Sequence, residues 1–279
     1  MPYLRSGDID IHYQTKTAEE KPKLLYISGT GGDLRKKPNI FSSPLAKFFE
    51  LATFDQRGLG QSSKPDSPYA MADYARDALN VMDHIGWENA NVLGVSFGGM
   101  VAQELAVEHC DRIDQLVLCC TSSGGAGGAS YPLHTLVKLN NESRAKKLIG
   151  ISDLRCTQDW IKGNPEAYQS IIEESLTASQ FAAHEPNHST GAWRQLEARS
   201  HHDCYDRLDR IICPTLICGG QFDGLATPEN QHALANAIPN SALEFFSGGH
   251  MFLLQDKKAF QRIVNFLLTP EQFSSAKSL

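Results

Sequence analysis

Gly94-Val95-Ser96-Phe97-Gly98-Gly99 constrains this chain more than any other stretch. An apolar run, Ala90-Asn91-Val92-Leu93, leads into it, and a helical one, Gly99 to Ala106, leads out. That is strand, tight turn, helix. A serine at such a turn takes a strained backbone conformation that exposes its hydroxyl at the sheet's carboxyl edge. Glycines two residues to either side let strand and helix backbones approach closely. The Gly-x-Ser-x-Gly pattern is weak by itself. Its flanks make Ser96 a candidate nucleophile rather than a plain turn residue.

A serine hydroxyl is a poor nucleophile at neutral pH and needs a base, which in turn needs an orienting acid. His250 is the candidate base. It follows Ser247-Gly248-Gly249 directly after a predicted strand, which puts it at the same sheet edge as Ser96. Asp223 is the candidate acid, in Gly219-Gly220-Gln221-Phe222-Asp223-Gly224 after the strand 215–218. The segment after Cys120 reads Thr121-Ser122-Ser123 and offers no carboxylate. The resulting chain order is Ser, Asp, His. A tetrahedral intermediate needs two preorganised backbone donors. Phe97 N–H is one candidate. Thr30 N–H, in Ser28-Gly29-Thr30-Gly31-Gly32, is the second, with Gly31 as its alternative. That loop lacks the spacing and the lysine of a nucleotide-binding loop.

Ile9 to Tyr13 alternates apolar and polar residues and predicts a hairpin turned at Ser6-Gly7-Asp8. Leu24 to Ile27 is continuously apolar, as a strand buried on both faces is. Further strands are predicted at 49–54, 113–120, 215–218 and 242–246. Met71 to Ile85 has helical periodicity and stops at Gly86, and 260–268 closes the chain as an amphipathic helix. Strands alternating with helices imply an α/β fold with a mostly parallel, doubly wound sheet. The interval from Ser123 to Arg210 breaks the alternation. It opens on Gly124-Gly125-Ala126-Gly127-Gly128, which reads as a flexible hinge, and continues as helices over 133–140, 142–149, 157–161 and 165–179. The expected organisation is a core of 1–123 and 211–279 with a helical insertion at 124–210.

The net charge of −6 gives no electrostatic footprint for nucleic acid or an anionic membrane. No apolar run approaches a membrane span, and the first residues lack a signal peptide's apolar core. The seven cysteines lie mostly in apolar runs and read as buried, reduced thiols, which points to a cytoplasmic protein. Self-association into a homo-oligomer is compatible with all of this. His201-His202-Asp203-Cys204 has metal-ligand chemistry but no second ligand group at useful spacing, so no metal is expected there.

Taken in register, Ser28 to Gly32, Asp55-Gln56-Arg57-Gly58-Leu59-Gly60-Gln61-Ser62, Gly94 to Gly99, Pro214 to Asp223 and Gly249-His250 resemble the α/β-hydrolase superfamily. The likeness extends to its small capped bacterial members, such as 3-oxoadipate enol-lactonase-like hydrolases and carboxylesterases. It implies an eight-stranded sheet, a cap formed by the insertion, and a structural role for Asp55, Arg57 and Gly58 in supporting the oxyanion loop. Ser28-Gly29 stands where such proteins commonly carry His-Gly. The implied activity is cofactor-free hydrolysis of a small-molecule carboxylic ester or lactone through an acyl-enzyme. A carbon–carbon bond hydrolase of a ring-cleavage diketone would use the same three residues, and a non-catalytic ligand-binding member of the fold would need none of them. Ser96 counts against the aspartate-nucleophile relatives. Within the cap, Trp160 and Trp193 are the candidate substrate contacts, with Tyr168 and Phe181 as further aromatics, against a plain packing role for each. Arg144, Arg155, Arg194 and Arg199 are candidates to hold a substrate carboxylate, against a solvated cap surface.

Overall fold

A computed structural model describes residues 2–269. Its eight strands are β1 (Tyr3–Ser6), β2 (Ile9–Lys16), β3 (Lys23–Ile27), β4 (Glu50–Phe54), β5 (Ala90–Val95), β6 (Ile113–Cys119), β7 (Thr215–Gly220) and β8 (Ser241–Phe246). The helices are α1 (Met71–His84), α2 (Phe97–Glu108), α3 (Asn141–Ser152), α4 (Gln158–Gly163), α5 (Pro165–Gln180), α6 (His188–Ser200), α7 (Pro228–Ala237), α8 (Phe252–Gln255) and α9 (Lys257–Leu268). The strands form one sheet in the order β1-β2-β4-β3-β5-β6-β7-β8. β2 runs antiparallel to both its neighbours, and β4 through β8 are mutually parallel.

Alternation along each strand sends side chains to two cores. Leu25, Val92, Leu118 and Ile217 join α1, α2 and α7 on one face. Leu24, Leu93, Val117 and Leu216 meet α9 and the short turns around Leu45 on the other. α1 supplies Tyr74, Ala78, Val81 and Met82, all fully buried at helical spacing. Among the described residues, no helix is long and apolar enough to cross a membrane.

The chain turns back on itself between β3 and β5. β4 lies on one side of β3, and every strand from β5 onward adds on the other. Such a switch point leaves a crevice outside the carboxyl ends of the two strands, the usual ligand position in an open α/β sheet. Ser28 to Gly32 follows β3 there, and Ser96 follows β5.

Between β6 and β7 the chain leaves the sheet and forms α3 to α6. The stretch 133–140 is a 3-10 helix over Leu133–Lys138 rather than an α-helix. Gly124 to Gly128 is not an open hinge. It makes a tight turn with positive φ at Gly124, Gly125 and Gly128, packed so closely on 202–205 that a Cβ at Gly124 would lie 1.9 Å from the His202 carbonyl oxygen. α6 was absent from the sequence-based expectation. It docks through glycines, since a Cβ at Gly191 would lie 2.0 Å from the Gly58 carbonyl oxygen. Only two backbones without side chains approach that closely.

Candidate active site

Ser96 sits at φ 55° and ψ −116°, a region that costs a non-glycine residue strain. The turn is held from all sides. Ser96 N–H donates to the Cys119 carbonyl at 2.8 Å, and its own carbonyl accepts from Thr121 Oγ1 at 2.8 Å. A Cβ at Gly98 would lie 2.1 Å from the Ile27 carbonyl oxygen, so the start of α2 can pass β3 only as glycine.

The three residues expected from the sequence converge. His250 Nε2 lies 3.0 Å from Ser96 Oγ, and His250 Nδ1 lies 2.8 Å from Asp223 Oδ2. Asp223 is fully buried. Its second oxygen accepts from Leu225 N–H at 2.8 Å and Ala226 N–H at 3.1 Å, which fixes the carboxylate plane toward the imidazole. The His250 loop is pinned through its own N–H, which donates to the Ser152 carbonyl of α3 at 2.6 Å. Hydroxyl, imidazole and carboxylate stand in a hydrogen-bonded line, a geometry through which a proton can pass from a hydroxyl to an imidazole.

The Gly-rich loop lies against the turn, with a Cβ at Gly29 only 3.4 Å from Ser96 Cβ. Phe97 N–H opens α2 and has no acceptor within the helix. In the loop, Gly31 N–H donates to Gln195 Oε1 at 2.9 Å. That bond engages Gly31 N–H, and Thr30 N–H stands beside it as the other candidate donor. Asp55 ties the loop's exit to the core: one oxygen accepts from Leu34 N–H at 2.8 Å, the other from Gln61 N–H at 2.9 Å, with His12 Nδ1 also at 2.9 Å. Burial pushes the Asp55 carboxyl above its ordinary value, and the Gln61 and Leu34 donors pull against that. Arg57 forks onto Asp77 through Nε at 2.6 Å and Nη2 at 2.8 Å.

Gln195 is the residue the sequence did not disclose. It is fully buried, and its Nε2 has no partner. Of the two candidate tryptophans, Trp160 borders an open cavity of about 620 Å³ together with Met251, which follows His250 in the chain. Trp193 is 41% exposed. The buried positions of α6 are Gly191, Gln195, Ala198 and Arg199 instead. A second, mainly apolar cavity of about 420 Å³ touches His250 and is lined by Tyr26, Pro38, Leu93, Val95 and Met251.

Of the 201–204 cluster, His202 and Cys204 are buried, whereas His201 and Asp203 are exposed. Cys204 Sγ donates to Gln103 Oε1 at 3.3 Å and lies 3.7 Å from His202 Nε2. Among the described residues, the donor atoms close enough to share an ion belong to Cys120, Asp223 and His250, and the last two are engaged with each other. All seven cysteines are free thiols.

The chain has the α/β-hydrolase fold. A family model described as alpha/beta hydrolase fold matches residues 22–145. Among individual proteins, the chain is similar to 3-oxoadipate enol-lactonase 2 of Acinetobacter baylyi, at 24% identity over 95% of each chain. It is similar to a poly(3-hydroxyalkanoate) depolymerase of Ectopseudomonas oleovorans, at 28% identity over 97% of this chain and 94% of that one. The crystal structure of an enol-lactonase from Burkholderia xenovorans superposes with a TM-score of 0.76 at 23% identity, covering 96% of this chain and all of the other.

Proposed function

We propose that the protein is a serine hydrolase that cleaves a small carboxylic ester or lactone through an acyl-enzyme, without a cofactor. The relay from Ser96 through His250 to Asp223, at 3.0 and 2.8 Å, carries this reading. Ser96 Oγ attacks the carbonyl as His250 Nε2 takes its proton. Thr30 and Phe97 N–H groups hold the oxyanion. His250 then protonates the leaving oxygen and activates a water for deacylation. Asp223 keeps Nδ1 protonated throughout and stabilises the imidazolium. The helical segment 124–210 acts as the cap over this site. Similarity to an enol-lactonase and to a polyester depolymerase supports an ester or lactone carbonyl as the target.

A panel of aryl esters, lactones and ring-cleavage diketones tests the reading. Turnover of esters or lactones is expected. Turnover confined to diketones would replace it with carbon–carbon bond hydrolysis, and no turnover at all would favour a binding protein.

Gln195 should matter to the rate although it lies far from the nucleophile in sequence. Its amide oxygen holds Gly31 N–H, directly after the N–H of Thr30, a candidate oxyanion donor. Gln195→Leu keeps the volume and orphans Gly31 N–H. Losing an oxyanion donor outright costs roughly 10²–10³ in kcat, so a displaced one is expected to cost about tenfold. The loss should fall on kcat more than on KM in steady-state assays, and an unchanged kcat would remove Gln195 from the loop's support.

A further inference from the structure

α2 ends at Glu108, and Cys110 opens the short 3-10 turn Cys110–Arg112 that leads into β6. Cys213 stands just before β7. The two are 103 positions apart in the chain, yet Cys213 N–H donates to Cys110 Sγ at 3.3 Å, and their thiols share a hydrogen bond. Both flanks are anchored. The Asp111 carbonyl accepts from Asn89 Nδ2 at 2.7 Å, and Arg112 N–H donates to the His109 carbonyl at 3.0 Å. On the other side the Cys213 carbonyl accepts from Thr215 Oγ1 at 3.0 Å, and the Pro214 carbonyl accepts from Leu116 N–H at 2.9 Å.

The two thiols are not equivalent. Cys110 is half-buried and Cys213 is buried. Cys110 Sγ accepts from the Cys213 thiol and from the Cys213 and Ile212 N–H groups. These bonds hold its pKa below the ordinary thiol value, against the opposing effects of burial and of the Asp111 carboxylate. Cys213 holds the shared proton, and that bond together with burial pushes its own pKa up. Cys110 is thus the sulfur of the pair that ionises first, and the thiolate is the reactive form. A part-exposed thiolate with a second cysteine beside it is the arrangement in which oxidation to a sulfenic acid ends in a disulfide. Cys119 and Cys218 supply the contrast. They are register partners on β6 and β7 and also share a thiol bond, but both are fully buried. That pair offers an oxidant no access.

We propose that Cys110 and Cys213 are a site of oxidation by hydrogen peroxide, and that the disulfide formed there locks together the two ends of the segment carrying β6 and α3 to α6. The Cys110 thiolate attacks one peroxide oxygen. The S–O bond forms, the O–O bond breaks, and the departing hydroxide takes back from solvent the proton that Cys110 gave up. The Cys213 sulfur then attacks Cys110 Sγ. The S–S bond forms as the S–O bond breaks, and the second hydroxide leaves with the Cys213 proton as water. One peroxide is reduced to two waters while two thiols are oxidised to one disulfide. Both sulfurs lie at the end of the sheet where β6 and β7 begin, opposite the end that carries Ser96, so the bond forms whether or not the protein is a hydrolase. Cross-linking so long a loop restricts the unfolded chain, which makes the oxidised protein the more stable form.

The reduced wild-type protein is treated with a small excess of hydrogen peroxide, unfolded in an alkylating agent and digested without reductant. Mass spectrometry is expected to find the peptides of Cys110 and Cys213 joined, with the other five of the seven cysteines alkylated. The melting temperature should rise by roughly 5 °C or more on oxidation, and dithiothreitol should return it. Cys213→Ala should stop at the sulfenic acid, trapped by dimedone on Cys110. Cys110→Ser should give neither product and keep its melting temperature in peroxide. A link between other cysteines or between two copies of the chain, or no loss of free thiol, would overturn the site. A Cys110–Cys213 link that leaves the melting temperature unchanged would overturn the lock and leave the oxidation site standing. The wild-type digest decides the site even if either variant fails to fold.

Discussion

Ser96→Ala is expected to lower ester hydrolysis by at least about 10³-fold while the protein keeps its fold. The change removes one oxygen at the mouth of a crevice. It leaves in place the bonds that hold the turn, which use only the backbone atoms of Ser96: its N–H to the Cys119 carbonyl, and its carbonyl accepting from Thr121 Oγ1. Alanine also bears the positive φ no worse than serine does, so stability should change little. Without the hydroxyl no acyl-enzyme forms. What remains is the contribution of the oxyanion donors and of binding, which in a relay of this kind leaves only a residual rate. Two measurements separate this from misfolding. The circular dichroism spectrum and melting temperature should match the wild type, and a fluorophosphonate probe should label the wild type at Ser96 and leave the variant unlabelled. Undiminished turnover by the variant would remove the serine from the chemistry, and an adduct on another residue would relocate the nucleophile.

What could be read from the sequence was what is local. The Ser96 turn is encoded within six residues, and Gly94 and Gly98 are fixed there by backbone approaches that any side chain would block. The buried parallel strands β3, β5, β6 and β7 announce themselves as short apolar runs bounded by turn residues, and α1 as an apolar stripe at helical spacing. Asp223 and His250 were legible once the strands before them were, because strand ends in such a sheet share one edge. α6 was not legible. Its buried face is Gly191, Gln195, Ala198 and Arg199, two small residues and two polar ones, with no apolar period to detect. It is preceded by Asn187 in a left-handed conformation, with no side-chain cap bond, so the usual start signal is missing too. Trp193, a candidate substrate contact from its residue type, is 41% exposed, because the helix docks through a glycine and presents an amide. The glycine run 124–128 was misread because composition suggests freedom, whereas its positive φ values and close contacts with 202–205 show glycines used to permit tight packing. Arg199 could be named from sequence only as one arginine of four. Its burial is a tertiary fact.

Asp223→Asn is expected to cost about as much as losing the serine, on the order of 10³–10⁴ in kcat, with the fold and the positions of Ser96 and His250 unchanged. The reason is a tautomer. Asp223 Oδ2 accepts the His250 Nδ1 proton at 2.8 Å, and its Oδ1 accepts from the N–H groups of Leu225 and Ala226. An asparagine must keep its oxygen toward those two backbone donors, since an amide NH₂ there would leave both unsatisfied in the interior. Its NH₂ then faces His250 Nδ1, which has to accept. The ring proton moves to Nε2, where it points at Ser96 Oγ and cannot take the serine's proton. The negative charge that would stabilise the imidazolium is gone as well. Asp223→Ala loses that charge but does not impose the wrong tautomer, so it should be no slower than Asp223→Asn in kcat while melting at a lower temperature, because Leu225 and Ala226 N–H lose their acceptor. Steady-state kinetics on one aryl ester, with melting curves for both variants, checks the order. A wild-type rate in Asp223→Asn would show that His250 takes its tautomer from elsewhere. A melting temperature unchanged in Asp223→Ala would show that the two backbone bonds do not hold this loop.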